Sequence, residues 1–211
     1  MNFTQRQELS NGSYLFIQPL NTPSAELLKQ VELEADEENK VLGFKLEIRR
    51  RQYLEARKIV QAEFGSKERI SYTPAGKPEL KVSRSAISLS HSGDYLAVLL
   101  DAKSEVGIDL QLATEKIQKI AKRFIHPEEF EYIHHDHQME YYHILWSAKE
   151  ALFKYVEEQG IDFKENLRVE PFVWNTEGVL NAHIVLQDQK YGVVLAYQKL
   201  DNYYLVYTFN R

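Results

Sequence analysis

The stretch Ile144–Val156, ILWSAKEALFKYV, constrains this chain more than any other. It reads as a helix from end to end. At 100° per residue, Ile144, Leu145, Ala148, Ala151, Leu152, Tyr155 and Val156 share one apolar side, which meets the demand of a core. Trp146, Glu150 and Lys154 fall at i, i+4 and i+8 on the other side. A helix with a merely solvated second face does not normally place a Trp there. Taken alone, the row reads as a Trp over a minor contact with a surface ion pair worth a few tenths of a kcal/mol. The rest of the chain bears on that reading.

The surrounding pattern alternates between helices and short strands. SYLFIQPL is a first strand, and Ser24 to about Phe64 is helical with a break near Asp36 to Asn39 and a stop at Gly65. RISYTPAGKPEL is a short strand running into a Pro/Gly loop. Three strands near Ser85–Ser90, Tyr95–Leu100 and Glu105–Leu112, joined by HSGD and DAKS, predict an antiparallel meander. TEKIQKIAKRF is a helix with Thr114 as its N-cap, and HPEEFEYI opens another with Pro127 in its first turn and two acids favoured by the dipole. The tail from about Val169 is strand-rich, with turns at NTEG and LDN. The order predicts an α+β fold of two similar lobes, a pseudo-dimer in which each lobe is a small antiparallel sheet packed with helices. They are expected over 1–104 and 105–211, with the active site between them.

Composition excludes several classes. At 211 residues and 44% hydrophobic, the chain can bury a sizeable core. Having no Cys, it has no disulfide, cysteine zinc site or thiol nucleophile, which fits a cytoplasmic protein. The N-terminal stretch lacks the basic-then-apolar pattern of a signal peptide, and no run reaches the 18 or so apolar residues of a membrane span. A formal net charge of −5 argues against nucleic-acid binding, while the basic stretch KLEIRRRQYLEARK suggests a defined anionic partner.

EVGIDLQL (Glu105–Leu112) alternates cleanly, with Val106, Ile108, Leu110 and Leu112 on one side and Gly107, Asp109 and Gln111 on the other. An edge strand with a wet face would look the same. If Asp109, the amide of Gln111 and Glu150 converge, however, they form an oxygen-only set that suits Mg²⁺, which takes its remaining ligands from water and substrate phosphates. Gly107 beside them leaves room for a close approach. Lys77 in AGKPEL and Ser90 and His91 in SLSHSGD are candidates for holding phosphate, although each loop alone is more often only a turn or a cap.

In order along the chain, GKPEL, ISLSHS, GIDLQ, RFIHPEEFEYI and WSAKEALFK resemble the 4′-phosphopantetheinyl transferase family, in its larger Sfp-type branch with two lobes in one chain. The resemblance covers about Ile70 to Lys154 well. It implies transfer of the phosphopantetheine arm of coenzyme A to a serine of an apo acyl or peptidyl carrier protein, with magnesium as cofactor and adenosine 3′,5′-bisphosphate released. By resemblance, Asp109, Gln111 and Glu150 are the metal positions, and Glu150 also helps deprotonate the serine. Lys149 and Lys154 match lysines near the pyrophosphate. Lys77, Ser90 and His91 match residues gripping the coenzyme's phosphates, and Arg51 lies where the family contacts the 3′-phosphate. Gln111 departs from the Glu common at its position. A monomer is expected, with neither nucleic acid nor membrane as partner.

HHDH (His134–His137) is spaced too tightly for an ordinary zinc site and lies in a polar connection. Two other readings compete with an active transferase: a relative that binds coenzyme or carrier with weakened catalysis, motivated by Gln111, and a metal-dependent phosphohydrolase using the same oxygen ligands.

Overall fold

A computed structural model of the chain describes residues 5–10, 12–156, 158, 160–187 and 189–209; residues 1–4 of the N-terminal stretch read for a signal peptide fall outside these. The fold is mixed α+β with antiparallel sheets packed against helices. The chain divides into two compact units, Met1–Ser104 and Glu105–Arg211.

The first unit runs β1 (Gln5–Ser10), β2 (Ser13–Pro19), α1 (Ser24–Leu27), α2 (Ala35–Gly43), α3 (Glu47–Phe64), β3 (Ile70–Tyr72), β4 (Pro78–Leu80), β5 (Ala86–Ser92) and β6 (Tyr95–Asp101). Its sheet has the order β1-β2-β6-β5, and β3 and β4 form a separate hairpin. Alternation along β2 buries Leu15 and Ile17, while Ala56, Ile59 and Val60 of α3 pack with Ile87, Leu96, Val98 and Leu100 in one cluster. The acids at 36–38 are not a helix break. Glu34 and Glu37 form a reciprocal capping box, so Asp36, Glu37 and Glu38 occupy the first turn of α2, where the dipole favours them. The interruptions lie at 28–34 and at Phe44–Leu46 instead. Gly65 ends α3 at φ 97°, a conformation only Gly adopts cheaply.

The second unit runs β7 (Ile108–Leu112), α4 (Lys116–Phe124), α5 (Pro127–Phe130), a 3₁₀ turn (His135–His137), α6 (Gln138–Tyr155), β8 (Leu167–Val169), β9 (Glu177–Leu186), β10 (Gln189–Leu200) and β11 (Tyr203–Thr208). The sheet order is β7-β11-β10-β9-β8. The expected three-strand meander therefore stops after β6: β5 and β6 pair, but β7 pairs with β11, nearly a hundred residues on. Alternation identifies a strand but not its partner. α6 covers the sheet with Ile144, Leu145, Ala148, Ala151 and Leu152, all buried in one cluster with Leu180, Leu195 and Val206. The N-cap of α4 is Glu115, although the Thr114 hydroxyl does accept the Lys116 N–H. His126 and Glu129 cap α5 reciprocally with Pro127 in the first turn. Among the described residues, no helix is long and apolar enough to cross a membrane.

Candidate functional site

β7 is an edge strand, but its polar side is not wet. α6 lies so close to it that a Cβ on Gly107 would sit 1.9 Å from the Ala151 carbonyl oxygen. The open side of Gly107 thus admits a helix backbone rather than a ligand. The Gly107 N–H donates to Thr208 Oγ1 (3.1 Å), and its carbonyl accepts the Thr208 N–H (2.9 Å), which pins the strand from behind. This contact buries Asp109, 6% exposed, beside the row of α6 that carries Glu150 and Lys154.

Lys154 Nζ donates to Asp109 Oδ1 (2.9 Å) and to the Ile108 carbonyl (2.8 Å). Burial pushes the Glu150 carboxyl above its ordinary range, the negative charge of Asp109 pushes the same way, and Lys154 opposes them. Two carboxylates and one ammonium thus stand together in a half-dry recess, and an oxygen-ligated divalent cation fits that donor set. Gln111, the third expected metal position, lies half-exposed on β7 with its amide N–H donating to the Leu112 carbonyl (3.1 Å).

Lys149 is placed differently from the expectation. It is fully buried, and Nζ donates to the Phe124 carbonyl (2.7 Å), Glu129 Oε2 (2.7 Å) and the Phe163 carbonyl (3.0 Å). An ammonium has three N–H groups, so none remains for a phosphate. Burial lowers its pKa to about 8, opposed by the Glu129 charge. Trp146 packs on the same two neighbours, edge-on to Phe124 (centroids 5.0 Å) and tilted on Phe163 (5.8 Å).

The first unit carries a separate cavity of about 390 Å³, lined among others by Lys40, Arg49, Gln52, Tyr53, Tyr72 and His91. Arg49 Nη1 lies 2.9 Å from His91 Nε2. Lys40 Nζ stands 4.9 Å from the Tyr72 ring centroid. Arg51 does not line this cavity. Two residues turn a helix by about 200°, and the Arg51 guanidinium is bonded to Glu47 Oε1 (3.2 Å) and the Leu20 carbonyl (3.1 Å). Ser90 is buried on β5, and Lys77 lies between the cavity residues Gly76 and Pro78. Sequence reasoning missed Lys40 and Tyr72; the only signal for Arg49 was the RRR run.

In HHDH, the 3₁₀ turn brings ligand atoms of His134, His135 and Asp136 within 4.8 Å of one another, all on exposed side chains. His137 instead stacks on Trp174 at 4.4 Å.

Residues 105–207, nearly the whole second unit, match the 4′-phosphopantetheinyl transferase superfamily. This likeness covers just under half of the 211 residues. Relatives include a 4′-phosphopantetheinyl transferase of Bacillus subtilis, 37% identical over 70 residues, and AcpT of Escherichia coli K12, 29% identical over 112 residues and carrying the same description. A Synechocystis protein given that description provisionally is 38% identical over 92 residues. The matched regions span 32%, 50% and 40% of this chain, and 31%, 57% and 37% of those proteins. Asp109, Lys149, Glu150 and Lys154 all lie in the part matched to the superfamily.

Proposed function

We propose that the chain transfers the 4′-phosphopantetheine arm of coenzyme A to a serine of an apo acyl or peptidyl carrier protein, working as a cytoplasmic monomer that uses neither nucleic acid nor membrane. The observation that carries this reading is the Asp109–Lys154–Glu150 group inside a unit matched to the phosphopantetheinyl transferase superfamily.

Asp109 and Glu150 would hold Mg²⁺, with Gln111 ligating it or orienting one of its waters; bound there, the ion neutralises charge on the coenzyme's pyrophosphate. Two of the three N–H groups of Lys154 go to Ile108 and Asp109. The third is available to the oxygen on which charge grows as the leaving group departs. Glu150, made a better base by burial, takes the serine proton directly or through a water. The serine oxygen forms a bond to the phosphorus bearing the pantetheine arm. The bond from that same phosphorus to the bridging pyrophosphate oxygen breaks, and adenosine 3′,5′-bisphosphate leaves carrying that oxygen. Little covalent help from the protein is needed, since such transfers rest on positioning and charge neutralisation.

Arg49, Lys40 and His91 supply cationic and donor groups for the coenzyme's 3′-phosphate, with Lys77 and Ser90 nearby. On α4, Lys116, Lys119 and Arg123 share one exposed face, opposite buried Ile117, Ala121 and Phe124. That face suits an acidic carrier protein.

Incubation with coenzyme A, Mg²⁺ and an apo carrier protein, read by intact mass, tests the proposal. A carrier gaining the mass of the arm is expected. Coenzyme consumed without labelling would mean a hydrolase, and an unchanged mixture a binding protein.

A further inference from the structure

The residues around Lys149 form one connected assembly. Glu129, 1% exposed, accepts the His126 N–H at 2.8 Å and the Val169 N–H at 2.9 Å in addition to Lys149. Its carboxylate therefore joins the cap of α5 to β8, and Lys149 brings α6 to the same point. Lys149 also reaches the last residue of α4 and the loop at Phe163. Trp146, one turn earlier on α6, packs its ring on the side chains of the same two residues whose carbonyls Lys149 holds. The pair at i and i+3 thus grips Phe124 and Phe163 twice, by ring contact and by directed hydrogen bonds.

An apolar helix face alone fixes roll weakly. The buried side of α6 is a broad band of Ala, Leu and Ile, whose contacts carry no direction of their own. Three hydrogen bonds to fixed carbonyl and carboxylate oxygens do. Lys149 is followed immediately by Glu150. With side chains about 5–6 Å from the helix axis, a roll of about 20° moves a tip by about 2 Å, enough to take Glu150 away from a cation shared with Asp109.

We infer that Trp146, Lys149 and Glu129 form a clamp that sets the roll of α6 and so aims Glu150 at Asp109. They are positioning residues, and Lys149 does not contact substrate. The inference rests on the proposed pairing of Asp109 and Glu150 around one divalent ion.

The test uses Mn²⁺ as a spectroscopic probe, its affinity for the coenzyme-free chain being read by electron paramagnetic resonance. Wild type and Asp109→Ala come first; if wild type binds no Mn²⁺, or Asp109→Ala binds as well as wild type, the metal reading fails and the aiming argument with it. If Asp109→Ala abolishes binding, the clamp is judged by Lys149→Met/Glu129→Gln and by Trp146→Leu. The double variant leaves no unpaired buried charge, and the Trp variant leaves the ion pair in place. Both are expected to melt cooperatively, with Mn²⁺ binding weakened about tenfold in the double variant and severalfold in the Trp variant. In transfer assays the KM for coenzyme A should stay within about threefold of wild type while kcat falls. Wild-type Mn²⁺ affinity in both folded variants would overturn the clamp. So would a KM for coenzyme A raised more than tenfold in the double variant, which would restore Lys149 as a phosphate contact.

Discussion

Gly107→Ala is the sharpest test of how the two halves of the site are brought together. The new methyl carbon would lie 1.9 Å from the Ala151 carbonyl oxygen and 2.9 Å from both the Ala151 carbonyl carbon and the Tyr155 nitrogen. Contacts under 3.0 Å essentially never occur, and all three of these are backbone atoms that no rotamer change can remove. β7 cannot retreat either, since Gly107 is held on both its N–H and its carbonyl by Thr208. The strand and α6 must therefore part by about 1 Å. Overpacking of this kind costs about 1–3 kcal/mol, or roughly 2–12 °C in melting temperature for a chain of this size.

The same displacement acts on the chemistry. The two bonds from Lys154 to Ile108 and Asp109, at 2.8 and 2.9 Å, would stretch beyond hydrogen-bonding distance, and the pairing of Asp109 with Glu150 would loosen. A misplacement of about 1 Å is worth around a hundredfold in rate. We expect a folded but destabilised Gly107→Ala chain with transfer reduced about a hundredfold at saturating Mg²⁺ and coenzyme A, measured by thermal melting and initial rate. Ala151→Gly in the same background should not rescue it, because the clash is with the carbonyl and not the Ala151 methyl. Wild-type melting temperature with at least half of the wild-type rate would refute the steric argument, and rescue by Ala151→Gly would relocate it.

Arg49→Gln should raise the KM for coenzyme A about tenfold with little change in melting temperature, whereas Arg51→Gln, which loses a bond to Leu20, should leave KM alone and lower stability slightly; steady-state kinetics and melting curves on the pair decide it. Replacing Lys116, Lys119 and Arg123 together by Gln should raise the KM for the carrier severalfold and flatten its salt dependence without changing that for coenzyme A. Glu55 is fully buried on α3, and burial raises its pKa against the opposing charge of Lys58. Its contribution to stability is therefore full below the unfolded carboxyl pKa near 4.5 and is lost as pH rises through the higher folded value. Glu55→Gln should remove that fall and melt about 2–4 °C higher at pH 7, and equal melting curves from pH 4 to 8 would count against it. Gln111→Ala should cost clearly less transfer than Asp109→Ala, and Gln111→Glu should lower the Mg²⁺ required; a Gln111→Ala chain as inactive as Asp109→Ala at saturating Mg²⁺ would give the amide an essential role.

Elements whose pattern is local were legible in the sequence. The apolar periodicity of Ile144–Val156 marked the C-terminal part of α6, whose first turns from Gln138 it did not reach, and the Pro127 start of α5 follows from terminus chemistry alone. The helix break placed at the acids of 36–38 was wrong because a cluster of Glu and Asp suits both a polar connection and a helix N-terminus. The reciprocal bonds of Glu34 and Glu37 decide for the second, and no propensity reports them. The partner of β7 was not legible for a different reason: Asp109 and Leu110 are set opposite Val206 and Leu205, and alternation carries no address for a strand almost a hundred residues away.

The site divides along the same line. Asp109 and Lys154 meet because a strand alternates with period two and a helix with period 3.6, so both faces could be drawn from sequence before their contact was known. Gly107 and Lys149 stand next to the candidate carboxylates Asp109 and Glu150, and their chemistry suits a ligand: a bare backbone beside a metal, and an ammonium beside a phosphate. The same chemistry suits burial. A bare backbone admits a helix at van der Waals distance, and an ammonium with three fixed acceptors locks that helix in rotation. Sequence alone does not separate the two uses, because both require the same residue type at the same spacing. The count of satisfied donors does separate them. Lys154 keeps an N–H beyond its bonds to Ile108 and Asp109, and Lys149 has none left, so in the proposed reading the first can serve the phosphate and the second belongs to the frame that aims Glu150.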